Sequence, residues 1–361
     1  MTKLRILVLG GTGFIGRNVV TFFVQNALVD KVVVVDKVPP QLSWMNDEVK
    51  AVFENDVVEF RSANLIHAAS VERAFAGLTI DFVINCAAET RPGMAPEIYE
   101  ESIFKLGVNC VENAAKLGGL KRFIQLSSCM SSNSGTEVTE ECAMEPWTVI
   151  GKQHAKLEEY LRSQKNVKYA ILRLPIVYGK GDRTGLTPRI IAACLYKHLN
   201  ATMKLLWTKD IKLNTIHVQD VASAIHHLLQ NSSDDQIFNL VDDAKSTQGS
   251  ITDILCSIYG IKCEYMGQIL SKMTQIDVAG VVKDINEEHL GTWARLCQKG
   301  DLNTPLTPYI DADALENKHV NMSNRKLLAT GYELKHPIVT RELIQDVIDD
   351  FVIQKFLPNE L

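Results

Sequence analysis

The chain contains no apolar run approaching the roughly 20 residues that span a bilayer, so a soluble protein without a membrane partner is expected. It also lacks a charge excess. Its 38 Lys and Arg stand against 43 Asp and Glu over 361 residues, a formal net charge of -5, which leaves no electrostatic footprint for nucleic acid. None of its eight cysteines (Cys86, Cys110, Cys129, Cys142, Cys194, Cys256, Cys263, Cys297) forms a C-x-x-C pair. Zinc and thioredoxin-like redox motifs need that spacing, so no metal is expected. Cysteines scattered through apolar runs read as reduced core residues of a cytoplasmic protein. Met1-Thr2-Lys3-Leu4-Arg5 enters an apolar run directly, which leaves no expected room for a signal peptide. Asn359-Glu360-Leu361 matches no retention or lipidation signal.

What is present is a glycine turn in an informative setting. Gly10-Gly11-Thr12-Gly13-Phe14-Ile15-Gly16 follows the apolar run Leu4 to Leu9, which reads as a buried strand, and opens a stretch with helical spacing. Strand, glycine turn and helix start make a phosphate cradle. Glycine lets the backbone turn tightly and approach a pyrophosphate, whose charge meets the N–H groups and dipole of the helix N-terminus. A second apolar run, Val32 to Val35, ends in Asp36, 20 residues past Gly16. A carboxylate there accepts hydrogen bonds from an adenosine ribose and repels a 2'-phosphate, which favours NAD over NADP.

Strand-like and helix-like segments then alternate. Val57 to Phe60, Phe82 to Cys86, Arg122 to Leu126 and Tyr169 to Leu174 read as strands. Ser70 to Ala76, residues 97–117 (with Phe104, Val108, Val111 and Ala115 on one side) and residues 149–164 read as helices. This alternation predicts an α/β protein with a Rossmann-like, doubly wound parallel sheet. Beyond about residue 180 the pattern is irregular, with helices expected over 188–199, 219–229, 250–258 and 339–355, and 264–320 has the least readable periodicity. The expected organisation is an NAD-binding Rossmann domain over 1–180, with segments returning to it near 214–242, and a smaller C-terminal substrate-type lobe over 181–361.

Further motifs follow in order: Asn64-Leu65, Asn85-Cys86-Ala87-Ala88, Val108-Asn109, Leu172-Arg173-Leu174-Pro175-Ile176-Val177-Tyr178-Gly179, Ile216-His217-Val218-Gln219-Asp220-Val221 and Phe238-Asn239-Leu240. With Gly10-x-x-Gly13-x-x-Gly16, they make the chain resemble the extended short-chain dehydrogenase/reductases, the NAD-dependent epimerase/dehydratase group, over nearly its whole length. The resemblance implies that Gly10, Gly13, Phe14, Ile15 and Gly16 cradle the pyrophosphate of NAD and that Asp36 holds its ribose. It implies that Asn64, where the family usually has Asp, and Leu65 meet the adenine. Ala87 and Ala88 would let the cofactor lie close, and Pro175 and Ile176 would meet its nicotinamide end. It also implies a homodimer through the helices near 97–117 and 149–164.

The reaction implied by the resemblance is a hydride transfer coupled to a proton transfer. A Ser or Thr positions the substrate oxygen, a Tyr moves the proton, and a Lys one helical turn later lowers the Tyr pKa and holds the nicotinamide ribose. Free Tyr titrates near about 10, so it needs that cation to work at neutral pH. Ser128, which ends Ile124-Gln125-Leu126-Ser127-Ser128, takes the catalytic Ser position. Gly151 and Glu158 set the register of the helix after Pro146, and in that register Ile150 takes the Tyr position and His154 the Lys position. Isoleucine has no proton to give, and losing a general acid–base group costs about 10²–10⁴ in rate. His154 can still hydrogen-bond a ribose hydroxyl. Tyr160 lies ten residues past Ile150, about 15 Å along the helix, too far to substitute. Cys129, Glu89, Thr90, Arg91 and Tyr99 border the expected pocket and stay open as substitutes.

Two readings result. In the first, the chain binds NAD(H), its catalysis is degenerate, and it has a regulatory or structural role exerted through a protein partner. In the second, it is an active NAD-dependent oxidoreductase, epimerase or dehydratase on a nucleotide sugar, steroid or similar small hydroxy or carbonyl compound, with a relocated proton donor. The loss of both Tyr and Lys favours the first.

Overall fold

Runs of Val, Ile and Leu form the strands of one parallel sheet in the computed structural model, which describes residues 3–129 and 136–359. Met1, Thr2, Glu360 and Leu361, read above for targeting signals, lie outside the described residues. In chain order the strands are β1 (Leu4–Leu9), β2 (Val29–Asp36), β3 (Val58–Ser62), β4 (Phe82–Asn85), β5 (Arg122–Ser128), β6 (Tyr169–Leu174), β7 (Ile176–Tyr178), β8 (Met203–Leu205), β9 (Thr215–His217), β10 (Gln236–Asn239) and β11 (Cys263–Tyr265). The helices of the first half are α1 (Phe14–Gln25), α2 (Asp47–Phe53), α3 (Ala68–Phe75), α4 (Pro96–Tyr99), α5 (Leu106–Ala114) and α6 (Val149–Ser163), with a π-helical turn, Glu100–Lys105, joining α4 to α5. Those of the second half are α7 (Thr187–His198), α8 (Val218–Asn231), α9 (Gln248–Tyr259), α10 (Gly267–Thr274), α11 (Val278–Gly300), α12 (Arg325–Leu328) and α13 (Arg341–Ile353).

The main sheet has the order β10-β6-β5-β4-β1-β2-β3 with every pairing parallel. Parallel strands need crossovers, and helices on both faces leave little of the strands exposed. Along β1, Ile6 and Val8 pack toward α1 and α8 with Val19, Phe23, Val221 and Ile225. Leu7 and Leu9 pack toward α3, α5 and α6 with Val71, Cys110 and Leu161. The chain order reverses where β1 has β2 on one side and β4 on the other, and ligands of such sheets bind outside the strand ends at this switch.

The helix near 97–117 buries a different stripe from the one expected. Ile103, Leu106, Cys110, Val111 and Ala114 are buried, while Phe104, Val108 and Ala115 are half-buried. The helix is covered on two sides, by the sheet and by α6, whose Tyr160 packs edge-on against Phe104 at 6.5 Å between ring centroids. Leu157 of α6 fills the space where a side chain at Gly107 would stand.

A second core lies between α7, α9, α11 and α13 and contains Tyr178, Ile190, Leu195, Trp207, Tyr259, Trp293 and Phe351. Among its contacts with the Rossmann half are two polar clasps. Arg17, in the first turn of α1, is buried and donates from Nη1 to the carbonyl of Trp44 (2.8 Å) and from Nη2 to that of Gly181 (2.9 Å). Asn46 Nδ2 donates to Asp350 Oδ1 at 2.9 Å.

Candidate functional site

The glycine turn is shaped by what glycine omits. Gly10 has φ +69°, and a Cβ there would lie 2.6 Å from Ala87 Cα, so β1 and the end of β4 meet backbone to backbone. A Cβ on Gly16 would lie 2.2 Å from the Gly10 carbonyl oxygen, so only glycine lets α1 start this close to the turn. Gly13 differs. Its φ is ordinary, and a Cβ would meet only the Gly10 oxygen, at 3.2 Å, before open space. Gly13 is the N-cap of α1, with no side-chain cap and no acid in the first turn. The helix end therefore presents N–H groups and positive dipole to space that any side chain would fill, which suits a pyrophosphate. Phe14, Ile15 and Gly16 form that first turn.

Asp36 ends β2 beside this turn. Its Oδ2 accepts from the Thr12 N–H at 3.2 Å and its Oδ1 from the Val38 N–H at 3.1 Å. A carboxylate has further lone pairs, so Asp36 is oriented by the cradle and still able to accept from a ribose diol. Leu65 is a core residue, and Asn64 beside it accepts from the Ile66 N–H at 3.1 Å. Asn109 Nδ2 donates to the carbonyls of Leu65 (3.2 Å) and Ile66 (2.9 Å), so the central-helix Asn braces the loop carrying Asn64. Ala87 and Ala88 follow β4, and Pro175 and Ile176 lie where β6 passes into β7.

The catalytic positions lie on β5 and α6. Thr148 caps α6 by accepting from the Gly151 N–H at 2.9 Å, so Ile150 stands in the first helical turn. His154 is buried and its Nδ1 has no hydrogen-bond partner. Burial pushes its pKa down to about 4, so the ring is neutral at physiological pH and cannot replace the charge of a lysine. An unpaired buried nitrogen calls for a partner, which a ligand hydroxyl can supply. Glu158 Oε1 accepts from Ser127 Oγ at 2.5 Å, and its carboxylate is gripped by Arg173 of β6. Ser127 is thus a structural partner, while Ser128 stands in register with Leu174 at the strand end.

The substitute proton donors fare poorly. Burial raises the Glu89 carboxyl pKa, but the two-point contact from Arg91 (3.0 and 2.7 Å) outweighs it and holds the group below the usual range. Thr90 is exposed and its N–H is turned onto Glu89 Oε1. The Tyr99 hydroxyl donates to the Arg91 carbonyl (2.6 Å) and accepts from the Met94 N–H, and burial raises its pKa. Burial pushes Cys129 up to about 12 and Tyr178 far above the usual phenol value. His217, Asp220 and His336 cluster closely enough to suggest a metal. Asp220, however, accepts from the Tyr332 hydroxyl and the N–H groups of Lys335 and His336, and His217 Nδ1 caps α8. The Asp220 bonds hold residues 332–336 against α8 and the His217 bond caps that helix, so the cluster has a structural role.

The profile of the NAD dependent epimerase/dehydratase family matches residues 6–240. The chain belongs to this family. NAD is its cofactor, and the open space before Gly13, the oriented Asp36 and the unpaired His154 nitrogen fit that group. Among curated proteins, the chain is 27% identical to methionine adenosyltransferase 2 subunit beta of Bos taurus over 232 residues, 63% of this chain and 62% of that one. The match thus spans about three fifths of that relative. A dTDP-D-glucose 4,6-dehydratase of Dictyostelium discoideum is 22% identical over 261 residues, covering 66% of this chain and 58% of that protein. In fold, the chain is similar to a UDP-glucose 4-epimerase of Thermus thermophilus in complex with NAD (TM-score 0.68, 20% identity, 97% and 99% of the two chains). It is also similar to DesIV, a dTDP-glucose 4,6-dehydratase of Streptomyces venezuelae (TM-score 0.71, 16% identity, 97% of each chain).

The family motifs mark the cradle and the catalytic positions. They do not mark Arg17, which ties the cradle helix to Gly181, and they include Arg173 without revealing that it fixes α6 through Glu158. The pairing of Arg173 with Glu158 has a weak sequence signal, since a charged residue within the apolar run Tyr169 to Leu174 needs a buried counter-charge.

Proposed function

We propose that this protein is an NAD(H)-binding member of the family whose catalysis is degenerate and whose role is regulatory or structural, exerted through a protein partner. One observation carries the reading. The Tyr and Lys positions hold Ile150 and a buried, neutral His154, and the candidate substitutes are engaged structurally or shifted away from neutral titration. A cradle that binds dinucleotide still stabilises the fold by mass action when chemistry is lost. The name of the bovine relative, a subunit of another enzyme, supports action through a partner. Free cysteines throughout the described residues accord with the reducing cytoplasm, which we take as the location. No helix among the described residues is long and apolar enough to cross a membrane.

Ser128, in place at the end of β5, favours the second reading, an oxidoreductase, epimerase or dehydratase on a nucleotide sugar, steroid or similar hydroxy or carbonyl compound. Reciprocal substitution separates the two. Wild-type protein is expected to be inert toward such substrates, and Ile150→Tyr with His154→Lys to gain NAD-dependent oxidation. Turnover by the wild type that is lost in Ser128→Ala would overturn the degenerate reading.

The homodimer belongs to the proposal in a weak form. The faces that would pair carry exposed Glu101, Lys105, Glu112, Lys152, Lys156 and Glu159 around the half-buried Phe104 and Tyr160. Stable homodimer interfaces are more apolar than this. Self-association detectable by sedimentation at low salt and lost at high salt is the expected behaviour.

A further inference from the structure

The two clasps between the halves of the molecule are sheltered: Arg17 is buried, and the Asn46–Asp350 bond is partly so. A third contact has a different character. After Ala88 the chain leaves the cradle and reaches Gly93, whose N–H donates to Asp311 Oδ2 at 2.7 Å in an exposed bond. Gly93 has φ +74°, and a Cβ there would stand 2.7 Å from the Tyr309 hydroxyl, so the tyrosine lies directly against the glycine backbone. Tyr309 and Asp311 form the tip of a strap, residues 305–311, between α11 and the short turn Ala312–Leu315.

The strap is firm along its length. Asn286 of α11 donates to the Ile310 carbonyl and accepts from the Ile310 N–H, both at 2.9 Å. Trp293 Nε1 donates to the Leu306 carbonyl, and Leu306 is buried in the second core. Pro305 and Pro308 stiffen the backbone between these anchors. The loop the tip meets is tied to the cofactor site. Ala87 touches Gly10, and Glu89 lies within electrostatic reach of Lys37, next to Asp36. A preformed strap thus ends in an exposed hydrogen bond to the loop that borders the cradle, while the Arg17 and Asn46 clasps are more sheltered. An exposed bond opens more readily than a sheltered one.

We propose that the strap is the gate of the dinucleotide site, that it opens by breaking the Gly93–Asp311 bond, and that this opening sets the rate of cofactor release. The gate rests on the NAD reading above. The test uses full-length protein loaded with NADH and follows displacement by excess NAD in stopped-flow fluorescence. Asp311→Ala, which also removes the cap that Oδ1 gives the Ala312 N–H, is expected to release NADH about 3- to 10-fold faster, the range an exposed hydrogen bond supplies. Gly93→Ala should do the same through its collision with Tyr309, and Asp311→Asn, which keeps an oxygen acceptor, should stay near wild type. Wild-type release rates in Asp311→Ala and Gly93→Ala, with unchanged thermal melts, would overturn the gate. Hydrogen–deuterium exchange over residues 89–95 and 305–311 reads the gate without cofactor. Faster exchange in Asp311→Ala supports it and unchanged exchange overturns it, whereas failure of the wild type to bind NADH refutes the cofactor reading by itself.

Discussion

Glu158 and Arg173 hold each other through Arg173 Nε (3.1 and 3.2 Å to the two carboxylate oxygens) and Nη2 (2.7 Å), with side chains 0% and 3% exposed. The pair fixes α6 against β6 and so holds the helix that carries Ile150 and His154 in place. Removing one partner strands the other charge. Glu158→Gln is expected to cost roughly 3–5 kcal/mol in urea denaturation, and replacing both with apolar residues of similar volume (Glu158→Leu with Arg173→Met) to cost less than either single change. A single-variant cost below about 1 kcal/mol would show that the pair is incidental to the fold.

His154 couples folding to pH. Burial lowers its folded pKa to about 4, below the unfolded value of about 6.5. Folding therefore favours the neutral ring. The associated stability is present above about pH 6.5 and is lost as the pH falls through 4. Relative to His154→Gln, wild type should lose on the order of 2–3 kcal/mol between pH 7 and pH 4. Parallel stability profiles of the two proteins would refute the assignment of a buried neutral ring.

Asp242 acts with the opposite sign. Burial raises its pKa to about 7, against the bonds it accepts from the Thr215 hydroxyl (2.7 Å) and the Ala244 N–H (3.1 Å). Folding favours the protonated acid, so its contribution is full below about pH 3.8 and is lost as the pH rises through 7. Asp242→Asn mimics the protonated form. Its melting temperature is expected to rise relative to wild type between pH 5 and pH 8, by the equivalent of roughly 2–4 kcal/mol. A constant difference across that range would contradict the shift.

Asp36 carries the cofactor assignment. Asp36→Ala removes the proposed ribose acceptor and also frees the Thr12 and Val38 N–H groups that the carboxylate now orders. Affinity for NAD, measured by titration calorimetry, should fall about 10- to 100-fold, as expected for lost hydrogen bonds to a charged group. Unchanged affinity would remove Asp36 from the site.

Segments whose signal is local were legible in the sequence. β1 and β6 match the apolar runs Leu4 to Leu9 and Tyr169 to Leu174, and α6 starts where its Thr148 cap and the preceding Pro146 put it. The cradle was legible for the same reason, since strand, turn, helix and Asp36 fall within one βαβ unit. β7 and β9, three residues each, are too short to show alternation. α11 runs 23 residues, but only Asn286, His289, Thr292, Trp293 and Leu296 are buried, so its apolar stripe is interrupted by polar residues. The two ends of the strap contact, Gly93 and Asp311, are 218 residues apart, and no local pattern ties them.

Arg17 has one further consequence. It follows Gly16 directly, so the helix end proposed to seat a pyrophosphate and the side chain that holds the Gly181 carbonyl belong to one rigid turn. Occupancy of the cradle and the posture of the second core are then linked quantities. Linkage is reciprocal: a protein that binds one posture in preference alters dinucleotide affinity by the same factor by which the dinucleotide alters its own. Under the proposed degenerate reading that shared factor is a signal, and the redox state or supply of the nucleotide is what it would report.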